Sequence, residues 1–184
     1  MKRKERRVIA AGMIRSGSTY QFNMLRIIME KAGWNPVCYW VNDYKYVPGQ
    51  TALIKTHEFK PGLVEGSTIF TAIRSEIEIK GSMRRRAEYL RENPDTRFSG
   101  TADPKRYPRY FGWFRQWRDC AHYTQHYYQI KDAPILAINN HIKVLGLTGI
   151  VTPEEVLEEL NNVKPPANGW DASTFLHAGH ITKE

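Results

Sequence analysis

Val8-Ile9-Ala10-Ala11-Gly12-Met13-Ile14-Arg15-Ser16-Gly17-Ser18-Thr19-Tyr20 is the stretch of this 184-residue chain that decides its fold class. An apolar run enters a glycine-bearing turn, and a helix-compatible sequence leaves it. Such a run suits a parallel strand covered on both faces. Gly12 and Gly17 have the spacing of a phosphate-binding loop, whose backbone N–H groups meet an anion at a helix N-terminus. Thr19 holds the place of that loop's usual Ser or Thr. Ser18 stands where ATP and GTP enzymes carry a Lys that reaches the β- and γ-phosphates. The cradle without its Lys points to a phosphate-bearing ligand other than a nucleoside triphosphate. Taken alone, the spacing fits an unliganded Gly-Ser turn equally well.

Working outward, the first strand is expected at 9–13 and the first helix at 19–33. Leu25, Ile28, Met29 and Ala32 recur there at i, i+3, i+4 and i+7, and Gly33 ends the helix. Further strands are expected at 36–41, 52–55 and 68–73, then a helix at 76–91. A loop at 96–108 leads to a long aromatic helix expected over 110–130. Trp113, Trp117, Cys120 and Thr124 form a core stripe on it, and a short fifth strand follows at 134–138. Thr152-Pro153-Glu154-Glu155 signals a helix start, with Val156, Leu157, Leu160 and Val163 as the buried face. Strands alternating with helices predict an α/β fold, P-loop-like and three-layered, with a mainly parallel central sheet flanked by helices. One domain is expected over 1–184, with a basic N-terminal extension at 1–7 and an extended tail at 165–184.

An apolar fraction of 41% with 5 Trp, 10 Tyr and 7 Phe argues for a packed core over disorder. No apolar run approaches the roughly 20 residues that span a bilayer, and no signal-peptide pattern is found. Cys38 and Cys120 supply neither a disulfide framework nor a metal pattern. A cytoplasmic protein is expected. The net charge of +8 suits a polyanionic ligand, either nucleic acid or a small molecule with several phosphates.

Three elements carry the chemistry, each at a strand's carboxyl end, where such folds bind ligands. In Arg15-Ser16-Gly17-Ser18-Thr19 the backbone and hydroxyls receive a phosphate, and Arg15 stabilises charge on a leaving group. In Lys55-Thr56-His57 the imidazole titrates near neutrality and suits a general base, with Lys55 neutralising the donor. Glu58 is the rival base. Arg74 and Ser82 suit a second phosphate. Each element alone has an ordinary structural explanation.

Together they resemble the sulfotransferases that use 3′-phosphoadenosine 5′-phosphosulfate (PAPS). Ile14-Arg15-Ser16-Gly17-Ser18-Thr19-Tyr20 is similar to that family's 5′-phosphosulfate loop, in a short member of bacterial or viral type with Arg in the loop. Lys55-Thr56-His57 is similar to its Lys-Thr-His segment, and Arg74 with Ser82 to its 3′-phosphate motif. The tail Leu176-His177-Ala178-Gly179-His180-Ile181-Thr182 resembles a segment that closes over the nucleotide. The resemblance covers residues 8–91 and, more loosely, 133–184. It implies sulfuryl transfer from PAPS to a hydroxyl or amine, with 3′,5′-adenosine diphosphate (PAP) as product and no metal. His57, Arg15 and Lys55 would be catalytic. Arg15, Ser16, Gly17, Ser18, Thr19, Tyr20, Arg74, Ser82, His180 and Thr182 would bind the donor. The acceptor is open among small molecules, glycans and lipids, with Tyr107, Tyr110, Trp113 and Trp117 as candidate lining.

Two other functions compete. A P-loop kinase using ATP explains the loop but lacks its Lys. A non-catalytic nucleic-acid binder would use Arg84-Arg85-Arg86 and the basic N-terminus. Three consecutive arginines fan around a helix, however, and suit a solvated surface, so no nucleic acid is expected. His122 with His126, and His177 with His180, have no third metal ligand of clear spacing.

Overall fold

The computed structural model describes residues 5–92 and 103–177. Five strands make one all-parallel sheet: β1 (Arg6–Gly12), β2 (Val37–Trp40), β3 (Thr51–Thr56), β4 (Ser67–Ile73) and β5 (Tyr123–His126). Their spatial order is β2-β3-β1-β4-β5. The helices are α1 (Ser18–Lys31), α2 (Glu76–Glu92), α3 (Tyr107–Cys120), α4 (Tyr127–Asp132), α5 (Pro134–Val144) and α6 (Pro153–Asn162). An antiparallel hairpin of β6 (Trp170–Asp171) and β7 (Leu176–His177) follows. Among the described residues no helix is long and apolar enough to cross a membrane.

Side-chain alternation along each strand sorts the core into layers on either face of the sheet. Val8 and Ala10, with Leu53 and Phe70, meet Phe22, Leu25 and Met29 of α1. Ile9, Ala11 and Ile69 meet Trp117 of α3. Helix α1 packs in turn on α5 and α6 through Met24, Ile27, Ile28, Ile138, Ile142, Val156 and Leu160. Covered on both faces, β3 is buried along its whole length, Lys55 included. A cation buried near the carboxyl end of such a strand costs desolvation energy and calls for a functional account.

The aromatic helix expected over 110–130 is interrupted. Helix α3 turns extended at Ala121, and β5 pairs with β4 from Phe70↔Tyr123 to Ile73↔His126. His122 begins this pairing. Its N–H donates to the Ile69 carbonyl at 2.8 Å, and its Nδ1 accepts from the Ile69 N–H at 3.1 Å. The open edge of β4 thus takes the backbone groups that a continuous helix would have satisfied internally. The strand expected at 134–138 is instead the start of α5. Pro134 sits at a first-turn position, and Ala137, Ile138, His141 and Ile142 are buried on one face. Two residues of the expected N-terminal extension belong to β1. Arg6 lies over the Trp34 ring at 3.9 Å, and Arg7 Nε donates to Ser67 Oγ at 2.5 Å. The tail expected to be extended contains the β6–β7 hairpin.

Candidate functional site

Strand β1 lies between β3 and β4, so the crevice beyond its carboxyl end is the topological switch point of the sheet. A cleft of about 1080 Å³ opens there. Arg15, Gly17, Ser18, Thr19 and Tyr20 line it from the loop after β1 and from α1. Lys55, His57 and Glu58 enter at the end of β3, and Arg74 and Ser82 from β4 and α2. The three elements singled out from the sequence share this one cleft. Ser16 is the exception: it is fully buried, and its hydroxyl donates to the Met13 carbonyl at 2.5 Å, so it braces the loop from within. His180 and Thr182 lie outside the described residues.

The loop needs both glycines for different reasons. A Cβ on Gly12 would lie 2.4 Å from Ser18 Cβ, because the strand end and the helix start pass in contact. Gly17 has φ 85, and a Cβ there would press on Ile130 and Tyr127 of α4. Arg15 is also left-handed, with φ 59. Left-handed residues on either side of Ser16 turn the backbone into the kind of concavity that receives anions. The first turn of α1 contains no acidic residue, so nothing on the helix neutralises its N-terminus.

Cations converge on this concavity, and the two at its centre, Arg15 and Lys55, lack carboxylate partners among the described residues. Lys55 is 2% exposed, and its ammonium donates to Thr19 Oγ1. Burial, with Arg15 nearby, pushes its pKa down to about 7. Arg15 Nε donates to Ser82 Oγ at 2.9 Å. Burial, then Arg86, Arg74 and Arg85, bring its pKa down to about 10. Among the described residues no carboxylate pairs with Arg15 or Lys55. Arg74 packs its guanidinium on the Tyr127 ring at 3.7 Å. Its Nε lies 3.3 Å from Glu78 Oε1, an ion pair without hydrogen-bond geometry.

His57 is half-buried beside these charges. Its Nδ1–H donates to the Gly12 carbonyl at 2.6 Å, which leaves Nε2 as the unprotonated nitrogen. Burial first, then Lys55 and Arg15, lower its pKa to about 4, against the opposing effect of the Gly12 bond. The expectation that this imidazole titrates near neutrality is not met in the free site: it is neutral at physiological pH with Nε2 unprotonated, and it is a weaker base than an ordinary histidine until a bound anion offsets the neighbouring cations. The Glu58 carboxylate, the rival base, pairs with Lys60 at 3.0 Å.

Several neighbours escaped the sequence. Tyr127 lies against Gly17 and under the Arg74 guanidinium at once, a place that one continuous helix over 110–130 does not suggest. The triple arginine is not simply a solvated surface: Arg86 is buried, Arg85 lines the cleft, and both act on Arg15. Of the aromatic candidates, Tyr110 and Trp113 line the cleft, whereas Tyr107 and Trp117 are core residues. His122 is taken up by the β4 edge and His126 packs on Tyr128, so this pair has structural work. His177 lines the cleft at its hairpin side. No family model matches this chain, and no curated protein matches it.

Proposed function

We propose that the protein is a sulfotransferase that moves a sulfuryl group from PAPS to a hydroxyl or amine of an acceptor. The contact between Lys55 and Thr19 carries this reading. In a triphosphate-binding loop the hydroxyl at that place binds Mg²⁺. Here it receives the buried Lys55 amine, which an arriving anion would hold as the ammonium, so a cation of the protein would take the metal's position. A donor that brings negative charge without a metal suits such a loop, and it supplies what Arg15 and Lys55 lack.

In this reaction the acceptor oxygen attacks sulfur in line with the bridging oxygen of the phosphosulfate. The new S–O bond forms as the old one breaks, and PAP leaves with the electron pair. The acceptor's proton passes to Nε2 of His57, whose Nδ1–H stays on the Gly12 carbonyl. The first-turn N–H groups of α1, with Ser18 and Thr19, hold the 5′-phosphate. Arg15 and Lys55 neutralise the sulfonate and the bridging oxygen. Arg74 and Ser82 hold the 3′-phosphate, and the Arg15–Ser82 bond ties the two anion regions together.

Thermal shift tests the donor. PAP without metal is expected to raise Tm, as a ligand of the folded state must, and ATP with Mg²⁺ to leave it unchanged. Stabilisation by ATP with Mg²⁺ alone would replace this reading with a kinase. Calorimetry in two buffers of different ionisation enthalpy adds a sign. With a pKa of about 7, Lys55 is mostly neutral at pH 8 in the free protein. A bound anion favours the ammonium, so PAP binding at that pH is expected to take up protons, and proton release would contradict the assignment.

A further inference from the structure

We infer that the acceptor is a saccharide at least two rings long, bound along an aromatic wall that runs outward from His57. This rests on the sulfotransferase reading above and names its substrate class. The wall begins at the base. Trp40 stands edge-on to His57 at 5.5 Å, Phe175 meets Trp40 at 6.0 Å, and Trp170 meets Phe175 at 5.5 Å. All four rings line the same cleft. Trp40 and Phe175 also close a core cluster, which by itself explains their presence. Trp170 has no such explanation. It is 37% exposed, and its indole stands against the cleft beyond the buried Phe175 ring.

The backbone is arranged to hold this wall. Phe175 adopts a left-handed φ of 53, uncommon for a residue with a side chain, and its ring fills the space between the two tryptophans. Asn23 fixes the turn, with Nδ2 donating to the Thr174 carbonyl at 2.8 Å and to the Thr19 carbonyl at 3.0 Å. One buried amide thereby ties the aromatic wall to the first turn of α1, the turn that forms the anion cradle. Exposed Asn42 and Asp43 follow Trp40 in sequence and line the same cleft at its rim.

The wall and the rim together select the chemistry. A pyranose has apolar C–H faces and a girdle of hydroxyls, which suit indole faces and the amide and carboxylate of Asn42 and Asp43, respectively. A phenol would fill the station beside Trp40 and leave Trp170 without a role. An alkyl chain would give the polar rim nothing to bond. Two separated indoles along one path call for at least two sugar rings.

Transfer of radiolabelled sulfate from PAPS to cellobiose, glucose, 4-nitrophenol and dodecanol tests this, with PAP binding measured alongside. Cellobiose is expected to be the preferred acceptor. Trp170→Ala is expected to raise KM for cellobiose about tenfold, the scale of one lost aromatic contact. It should leave KM for glucose, kcat and the Kd for PAP unchanged, and Trp170→Phe should restore much of the loss. PAP binding with a preference for 4-nitrophenol or dodecanol, or with no sugar sulfated, would overturn the saccharide inference alone. So would an unchanged KM for cellobiose in Trp170→Ala. Failure of PAP to bind would overturn the donor reading and this inference with it.

Discussion

His57 and His141 each donate Nδ1–H to a backbone carbonyl, of Gly12 at 2.6 Å and of Ala137 at 2.7 Å. Burial is the largest cause that lowers both to about 4. They differ at the other nitrogen. Nε2 of His141 accepts from the Gln21 amide at 3.2 Å, and its ring stacks on Phe70 at 5.0 Å. Among the described residues, Nε2 of His57 has no partner, and the ring lines the cleft beside Lys55. One histidine closes a network inside the core; the other leaves one nitrogen open to whatever enters. A depressed pKa thus reports enclosure, and the open nitrogen is what gives His57 a candidate role in chemistry.

The strongest way to break this comparison is to replace each ring in turn. His57→Gln is expected to lower kcat by about 10²–10⁴-fold, the usual worth of a general base, with little change in Tm or in PAP affinity. His141→Ala is expected to do the reverse. It opens a cavity and strands the Gln21 amide, at a cost of about 2–4 kcal/mol in stability, while turnover per folded molecule is retained. Near-normal turnover of His57→Gln with saturating PAPS would move the base to Glu58, to be tested by Glu58→Gln.

Next in size is Lys55, which separates the cleft from the core by charge. Lys55→Met keeps the length of the side chain and removes the buried ammonium. PAP affinity is expected to fall about 10–100-fold, the worth of one charge-assisted hydrogen bond. The free protein is expected to be as stable or more so, because an unpaired buried cation costs more than it returns. A large drop in Tm without ligand would make Lys55 a structural residue and remove the observation on which the donor reading stands.

The cleft was more legible in the sequence than the edge of the sheet beside it. Gly12, Gly17, Lys55, His57 and Arg74 follow apolar strand segments, and a parallel sheet carries every such position to the same edge. Residues 110–138 gave no such signal. Tyr123–His126 is an edge strand of four residues, held by pairing with β4, and its polar and aromatic residues continue the pattern of the helix before it. Pro134-Ile135-Leu136-Ala137-Ile138 is a short apolar run, and such runs do not reveal their period. It becomes a helix because Ala137, Ile138, His141 and Ile142 find α1 and α6 to pack on. Tyr127 entered the site only through tertiary contact, and the arginine run, conspicuous in the sequence as a solvated surface, sends Arg85 and Arg86 to the cleft only because α2 packs there.

The smallest effect is a slope with pH, and it bears directly on the comparison of the two histidines. Burial lowers both folded pKa values below the ordinary histidine value of 6.5, and more firmly for the fully enclosed His141 than for the half-exposed His57. As pH falls through 6.5 the unfolded chain takes up protons that the folded chain refuses. The histidines' contribution is complete above that pH and declines toward pH 4, by at most about 1.4 kcal/mol per pH unit for each of them. The lowered carboxylates Glu78, Glu155 and Asp171 add their own loss nearer pH 4, so urea midpoints between pH 6.5 and 4.5 isolate the imidazoles best. The cleft admits water to His57, whereas His141 is fully buried. His141→Gln is therefore expected to flatten the profile more than His57→Gln does. Equal flattening, or a reversed order, would show that the free cleft resists a proton as strongly as the core. Access would then no longer separate the two rings, and the open Nε2 would have to gain its base strength from the bound anion alone.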